Sequence, residues 1–230
     1  MKTIGLLGGM TWHSTVDYYR LINAGVQARI GGSHSAQCVL YSVDFDEFEK
    51  LQDAGEWDKL TELMVKAAIS VEKAGADFLV ICANTMHRTA PAVERALSIP
   101  LLHIADAAAA EIQRQGLRTV GLLGTRFTME QGFYRERLEK EHCLTVLIPD
   151  DAARKKVHDI IYQELGHGII SEASKLTYIS IIRDLHTAGA EGVILGCTEI
   201  PLLIHAEDYP LPLFNTTALH AAAAVDWALQ

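Results

Sequence analysis

Residues 74–85 read AGADFLVICANT, and residues 188–199 read AGAEGVILGCTE. The two stretches align without a gap, position 75 against position 189, which is an offset of 114 residues. A second pair, GLLG at 5–8 and GLLG at 121–124, aligns at an offset of 116. Both offsets are near half of the 230 residues. Two matches at nearly one offset favour an internal duplication over a convergent likeness between two βαβ segments.

Short apolar stretches alternate with longer helical patterns along the chain. The strand-like stretches are Thr3–Gly8, Gln37–Val43, Phe78–Cys82, Thr119–Leu123 and Gly192–Leu195. The pattern between two of them, Asp58–Ala74, places apolar residues at every third or fourth position, as an amphipathic helix does. Such alternation is typical of parallel sheets with crossover helices. We therefore predict an α/β protein of two similar lobes, residues 1–98 plus 211–230 and residues 99–210, with parallel sheets related by a pseudo-twofold axis.

The two repeated strands both end in small polar residues. Ala83-Asn84-Thr85 follows the first, and Cys197-Thr198-Glu199 follows the second. Ligands of parallel sheets bind beyond the carboxyl ends of the strands. We expect these two segments to face each other across a cleft between the lobes, and the active site to lie in that cleft.

Composition and charge narrow the classes of function. Hydrophobic residues make up 49% of the chain and charged residues 21%, the balance of a globular protein. A net charge of −9 with scattered basic residues argues against a nucleic-acid partner. Four cysteines without a CxxC pair, and no apolar run like a signal peptide or membrane span, predict a cytoplasmic protein that does not enter a membrane.

Metal and nucleotide sites are not predicted. The ten histidines show no HExxH motif and no Cys/His ligand spacing, so we expect no metal. The glycines at positions 5, 8 and 9 do not form G-x-G-x-x-G, and we interpret them as a tight strand-to-helix turn. His87 follows a strand end, where we expect it to cap a helix or pack.

Four motifs carry a resemblance to a known family. They are Leu6-Leu7-Gly8-Gly9-Met10, Asn84-Thr85-Met86-His87, Gly196-Cys197-Thr198-Glu199 and Pro212-Leu213-Phe214-Asn215-Thr216-Thr217. They occur in the order seen in the aspartate/glutamate racemase family, and the chain resembles bacterial members over its whole length. The resemblance implies racemisation of a small acidic amino acid by proton transfer at Cα, without pyridoxal phosphate or another cofactor, in a homodimer.

The resemblance also assigns site residues. It makes Cys197 the thiol acid/base, and it places Met10, Gln52 and Ala83 along the substrate. Asn84, Thr85, Thr198 and Glu199 would surround the carboxylate and amine of the substrate. Read without the resemblance, Asn and Thr at these points suit helix capping equally well. A thiol with an ordinary pKa of ~8.5 serves as acid/base at neutral pH when nearby donors lower that pKa, and we expect this of Cys197.

Position 83 departs from the family pattern. Relatives carry Cys or Thr there as the second acid/base, whereas Ala83 neither donates nor accepts a proton. The chain is then a one-thiol variant, carries an inactivating substitution, or uses a neighbour or water on that face. Cys82 points to the opposite face of its strand, so we expect it to be a buried structural thiol. Asn215 is a second departure, because relatives commonly have Asp there.

Three functions therefore remain open. The first is a racemase of aspartate or glutamate. The second is a catalytically silent relative that binds an amino acid without turning it over, since Ala83 removes half of the acid/base pair. The third is single-thiol chemistry on the same scaffold, as in related decarboxylases or isomerases.

Overall fold

The computed structural model describes residues 1–230 and divides into two compact units. The first unit comprises Met1–Ile104 and His220–Gln230, and the second comprises Ala105–Leu219. The expected ranges, 1–98 plus 211–230 and 99–210, place the first boundary six residues earlier and the second boundary nine residues earlier than these units do. The second boundary lies later than expected because a short strand, Leu213–Asn215, pairs within the second unit and keeps the preceding residues there.

The first unit is a parallel α/β fold. Its elements are β1 (Ile4–Gly8), α1 (Trp12–Ile30), β2 (Cys38–Ser42), α2 (Phe45–Asp53), α3 (Trp57–Lys73), β3 (Phe78–Ile81), a 3₁₀ helix (Thr85–Thr89), α4 (Ala90–Ala96), β4 (Leu101–Leu102), the first residue of α5 (Ile104–Arg114) and most of α10 (Thr216–Leu229). The strands are parallel in the order β2-β1-β3-β4.

Alternate residues of the central strands bury against helices on opposite faces of the first sheet. Leu7 and Ile81 pack with helices α2 and α3 in one apolar cluster. Leu6 and Val80 pack with α1 and α10 in another. The C-terminal helix is fixed by His220, whose Nε2 lies 2.8 Å from the Leu102 carbonyl oxygen. Near-continuous apolar strands such as β1, with all five residues buried, are what a sheet covered on both faces requires.

The second unit repeats this plan. Its elements are the remainder of α5, β5 (Thr119–Gly124), α6 (Arg126–Glu130), α7 (Gly132–His142), β6 (Thr145–Leu147), α8 (Asp151–Gln163), a 3₁₀ helix (Leu165–His167), α9 (Glu172–Thr187), β7 (Gly192–Gly196), 3₁₀ helices (Ile200–Leu202 and Ala206–Asp208), β8 (Leu213–Asn215) and the start of α10. The strands are parallel in the order β6-β5-β7-β8. Each unit thus orders its own strands second, first, third, fourth, which confirms the prediction of two similar lobes with parallel sheets.

The predicted strands are found within one residue of their expected ends, while three short strands, β4, β6 and β8, were not predicted. None of the helices is both long enough and apolar enough to cross a membrane.

Candidate active site

In the first unit the carboxyl ends of β1 and β3 lie side by side, because Leu7 pairs with Ile81. The chain beyond β1 turns sharply at Gly9, whose φ is 97°. A Cβ at Gly9 would come within 2.4 Å of the Val43 carbonyl oxygen, so no other residue fits. The Gly9 N–H donates to Thr15 Oγ1 at 2.8 Å. These contacts bear out the interpretation of a tight strand-to-helix turn at Gly9, whereas Gly5 and Gly8 lie within β1.

The two residues that follow β3 point to opposite faces of the first sheet. Ala83 is 6% exposed and packs with Met10 and Met86 in the cluster under α2 and α3. Cys82 is fully buried in the opposite cluster with Tyr18. Burial raises the pKa of the Cys82 thiol, which keeps it protonated. The prediction that Cys82 is a buried structural thiol on the face away from Ala83 is confirmed.

His87 fixes the backbone at position 83. Its Nδ1 lies 2.8 Å from the Ala83 carbonyl oxygen, and the Ile104 N–H donates to its Nε2 at 3.2 Å. Because Nε2 accepts, Nδ1 carries the proton and donates to the Ala83 carbonyl. The ring is 1% exposed, so it joins the end of β3 to the start of α5 from inside the unit. The expected packing role of His87 is confirmed, and its contact with Ala83 is new.

The polar residues predicted for this strand end are all buried. Gln52 is 3% exposed on the inner side of α2, Asn84 is 4% exposed and Thr85 is 9% exposed. Asn84 has helical φ and ψ, and its side chain makes no capping hydrogen bond to the Thr85–Thr89 helix. The capping alternative therefore does not account for Asn84. Buried amides and hydroxyls at a strand end are the donors that an amino-acid carboxylate needs.

In the second unit the equivalent strand end carries a thiol. Gly124 of β5 pairs with Gly196 of β7, and a Cβ on Gly124 would lie 2.7 Å from the Gly196 carbonyl oxygen. The two backbones approach this closely only because both residues are glycine. Cys197 follows at once and is 8% exposed, packed in the apolar cluster under α8 and α9.

Cys197, Thr198 and Glu199 are joined through one carboxylate oxygen. The Cys197 thiol donates to Glu199 Oε2 at 2.9 Å, and the Thr198 hydroxyl donates to the same oxygen at 2.7 Å. Thr198 and Glu199 are partly exposed, whereas Cys197 is buried beneath them. The thiol proton thus lies in a hydrogen bond to a carboxylate oxygen.

The pKa of the Cys197 thiol is shifted in the direction opposite to the one expected. Burial raises the pKa of Cys197 well above its usual value, and the charge of Glu199 raises the pKa further. Backbone N–H groups of Thr198 and Glu199 lower the pKa, but their effect is smaller. The donors expected near this thiol are present and lower its pKa, but burial first and the Glu199 carboxylate second outweigh them, so the net shift is upward and not downward. Cys197 rests as a neutral thiol.

The closing motif supports the same strand end. Asn215 pairs with Leu195 of β7, and its Oδ1 accepts the Ala218 N–H at 3.1 Å, which caps the start of α10. The Thr216 hydroxyl donates to the Leu195 carbonyl at 2.9 Å. Asn215 therefore acts as a helix cap beside the strand that carries Cys197. Asn and Asp have nearly the same shape, and both serve as helix N-caps, so either residue fits at this position.

The predicted site residues thus fall into two sets, one at each strand end. Met10, Gln52, Ala83, Asn84 and Thr85 belong to the first unit, and Cys197, Thr198 and Glu199 to the second. Sequence reasoning gave His87 no link to position 83, although its spacing of four residues from Ala83 across a helix start was the signal that could have suggested one.

Known proteins are similar to this chain in sequence and fold. The sequence model of Asp/Glu/hydantoin racemases matches residues 7–224. A solved structure of a candidate Asp/Glu racemase from Yersinia pestis is 54% identical, covers 100% of both chains and superposes with a TM-score of 0.95. An aspartate racemase homologue from Pyrococcus horikoshii OT3 is 34% identical over 100% of both chains, with a TM-score of 0.85.

A more distant relative has a described activity. The broad specificity amino-acid racemase RacX of Bacillus subtilis (strain 168) is 24% identical over 234 residues, covering 96% of each chain. The matched range includes both strand ends and the motifs at each of them. The chain is therefore a member of the Asp/Glu/hydantoin racemase family.

Proposed function

We propose that this protein racemises a small acidic amino acid, aspartate or glutamate, without a cofactor, and that Cys197 is its acid/base. The observation that carries the proposal is the contact of the Cys197 thiol with Glu199 at the carboxyl end of β7. A thiol poised against a carboxylate is able both to give a proton and to lose one. Membership of a racemase family makes Cα of an amino acid the carbon concerned.

The proton steps follow from the resting state of the thiol. When Cys197 acts as the acid, its S–H bond breaks and the proton goes to the planar carbanion at Cα. When Cys197 acts as the base, its proton first passes to the Glu199 carboxylate, and the thiolate then takes the Cα proton. Inversion is completed when water protonates the opposite face of Cα, since Ala83 carries no proton, and Glu199 returns its own proton to the hydroxide that remains. The ammonium group of a bound substrate adds positive charge beside this pair, and positive charge lowers the pKa of a thiol. Substrate binding would therefore favour the thiolate, which burial and Glu199 disfavour.

Substrate recognition would use the buried polar groups of both strand ends. Asn84 and Thr85 supply an amide and a hydroxyl, and Thr198 supplies a second hydroxyl. Met10 and Gln52 would line the side chain of the substrate. The family description and the Pyrococcus relative favour acidic substrates. Because the Bacillus relative is described as broad in specificity, a test must include neutral amino acids.

Ala83 favours a second candidate function. It ends in a methyl group, so the end of β3 offers no side-chain proton for the opposite face of Cα. A protein with one working thiol would exchange the Cα proton of one enantiomer but invert it slowly. At the limit it would only bind the amino acid, or it would protonate an enolate from one face as a decarboxylase does.

The proposal is tested by circular dichroism of L-aspartate and L-glutamate over time, with L-alanine as a neutral comparison. We expect Cys197→Ala to lower any racemisation by ~10²–10⁴, the usual effect of losing a general acid or base. Glu199→Gln keeps the shape of the acceptor and should lower the rate by a similar factor, since an amide does not take the thiol proton. Cys82→Ala is the matched control, because Cys82 is also buried but lies on the face of the first sheet away from Ala83.

Racemisation that persists unchanged in Cys197→Ala would overturn the proposal. If the native protein shows tight binding of aspartate or glutamate in a calorimeter but no inversion and no Cα exchange, the silent alternative is correct instead.

A further inference from the structure

The predicted site residues include no basic side chain. Only one of them, Glu199, is charged at neutral pH, and it is an acid. The chain as a whole carries a net charge of −9. Aspartate and glutamate each bring two carboxylates and one ammonium group, and a carboxylate taken out of water needs a cation or several hydrogen-bond donors. A basic side chain near the strand ends would supply the charge that the predicted residues lack.

Three arginine side chains and no lysine follow a strand by seven residues or fewer, and two of these arginines are engaged elsewhere. Arg88, seven residues after β3, stacks over the Trp57 ring at 3.9 Å. Arg154, seven residues after β6, pairs with Glu130 at 3.0 Å. Arg126, two residues after β5, is exposed and belongs to none of the ion pairs of the structure. Parallel sheets bind ligands at the carboxyl ends of their strands, so Arg126 is the cation best placed to meet one.

The internal repeat relates Arg126 to Met10. GLLG at 5–8 and GLLG at 121–124 align at an offset of 116, and the same offset takes position 10 to position 126. Each of the two residues stands two places beyond the last residue of its strand, Gly8 in β1 and Gly124 in β5. The resemblance to racemases places Met10 along the substrate. Its counterpart in the second unit is thus a basic residue at the matching strand end.

A second pair of positions is related in the same way. Gln52 is the eighth residue after Asp44, the N-cap of α2, and His158 is the eighth residue after Asp150, the N-cap of α8. Both N-cap carboxylates accept a backbone N–H, and both helices follow the second strand of their unit. The resemblance places Gln52 along the substrate as well. His158 is its counterpart in the second unit.

The two counterparts lie against each other in the second unit. The Arg126 N–H donates to His158 Nδ1 at 3.4 Å, which holds the backbone of Arg126 beside α8. The rings of Phe127 and His158 meet edge to face at 6.1 Å, and the Arg126 guanidinium lies 5.0 Å from the centre of the Phe127 ring. The positions that the repeat relates to substrate-lining residues thus form one group, although 32 residues separate them along the chain.

This group stands on the same side of the second sheet as the thiol. The residue before His158, Val157, belongs to the apolar cluster that also contains Cys197. Gly124 pairs with Gly196, the residue before Cys197, so β5 and β7 end side by side. Neighbouring strands are about 4.8 Å apart. Arg126 and Cys197 therefore follow adjacent strand ends beside the same helix.

We propose that Arg126 binds the side-chain carboxylate of an acidic substrate. The inference rests on the proposed function, since it names the residue that makes the same site selective for acids. A guanidinium presents N–H groups in a planar fork that matches both oxygens of a carboxylate. The amide of Asn84 and the hydroxyls of Thr85 and Thr198 serve the α-carboxylate. The charge of Arg126 then serves the second carboxylate, which neutral amino acids lack.

Titration calorimetry tests the proposal with pairs of ligands of equal shape, aspartate against asparagine and glutamate against glutamine. We expect the native protein to bind each acid more tightly than its amide. Arg126→Met should lower the affinity for both acids by roughly 10- to 100-fold, the usual effect of losing a hydrogen bond to a charged group, and leave the affinities for both amides within about twofold. Arg126→Lys keeps the charge without the planar fork, so its affinity should fall in between. Lys156→Met is the matched control, because it removes one positive charge from an exposed position of α8.

Three results would overturn the proposal. The native protein could bind the acids no more tightly than the amides. Arg126→Met could leave the affinity for the acids unchanged, or weaken acids and amides equally, which would assign Arg126 to the α-carboxylate that they share. Lys156→Met could weaken the acids as much as Arg126→Met does, which would show an effect of net charge alone. Because calorimetry measures binding and not turnover, a protein that binds acids through Arg126 without racemising them would refute the proposed function and not this inference.

Discussion

We expect Ala83→Cys and Ala83→Thr to accelerate racemisation. Ala83 stands where the resemblance to racemases places the second acid/base, and its methyl group transfers no proton. A positioned general acid or base contributes ~10²–10⁴ in rate, so restoring one should raise the rate by a comparable factor. Because the Ala83 carbonyl is held by His87 at 2.8 Å, the new side chain starts from a fixed backbone.

The structure also gives the effect on stability. Ala83 is 6% exposed and packs with Met10 and Met86, so added atoms enter an occupied cluster. Enlarging a packed side chain typically costs about 1–3 kcal/mol. Methionine side chains adapt their rotamers, which places Cys, with one added atom, at the low end of that range and Thr above it. For a chain of this size such a cost lowers the Tm by roughly 2–12 °C.

The assay is circular dichroism of L-aspartate and L-glutamate over time, with the native protein and each variant at equal concentration. Ala83→Val is the matched control for Ala83→Thr, since it has the same shape without the hydroxyl. We expect Ala83→Val to destabilise the protein without accelerating racemisation. The reasoning is refuted if the native protein already racemises quickly and Ala83→Cys adds nothing, or if Ala83→Val accelerates as much as Ala83→Thr.

Three further outcomes follow from other contacts. Cys143 is exposed, whereas burial and Glu199 raise the pKa of Cys197. Iodoacetamide at neutral pH should therefore label Cys143 first, and it should label Cys197 only as the solution is made alkaline. Peptide mass mapping that finds Cys197 labelled first at pH 7 would contradict this. Burial raises the pKa of Asp106, but hydrogen bonds from Arg137 and His142 lower it by more, and the net shift is downward. A carboxyl group whose pKa is lowered by folding stabilises the protein at pH values above its unfolded pKa of about 3.9, and this stabilisation is lost as the pH falls through the folded pKa. Asp106→Asn should therefore lower the free energy of unfolding by about 1–3 kcal/mol at neutral pH and by progressively less below pH 4. Urea unfolding at several pH values measures this. Asn215→Ala should lower the free energy of unfolding by about 0.5–2 kcal/mol through loss of the α10 cap, whereas Asn215→Asp should leave it equal or raise it, since a carboxylate suits a helix N-terminus.

The long strands and the repeated plan could be predicted from the sequence because each rests on local apolar runs and on a duplication that the residues display. β4, β6 and β8 have two or three residues each, which is too short for a periodic pattern. β8 exists because Leu213 pairs with Val193 across the chain, and no local signal at Leu213–Asn215 encodes that pairing. The same long-range pairing keeps Leu213–Asn215 within the second unit.

The sequence predicted which positions form the candidate site, but it did not predict how the charged group at Glu199 acts on the thiol. The repeat and the family motifs located Cys197 and the departure at Ala83. Neither indicated that Glu199, two residues later, turns its carboxylate back onto the thiol at 2.9 Å and raises its pKa. Direction of a side chain depends on rotamers and packing, which spacing along the chain does not specify.

The central claim is that Cys197 moves the Cα proton and that position 83 does not. Proton NMR of each enantiomer of aspartate and of glutamate in D2O tests it most directly, by comparing deuterium incorporation at Cα with inversion in the native protein and in Cys197→Ala. We predict that one enantiomer exchanges its Cα proton faster than it inverts, and that this exchange disappears in Cys197→Ala. Exchange that persists without Cys197, or that is equally fast for both enantiomers and keeps pace with inversion, would contradict the account.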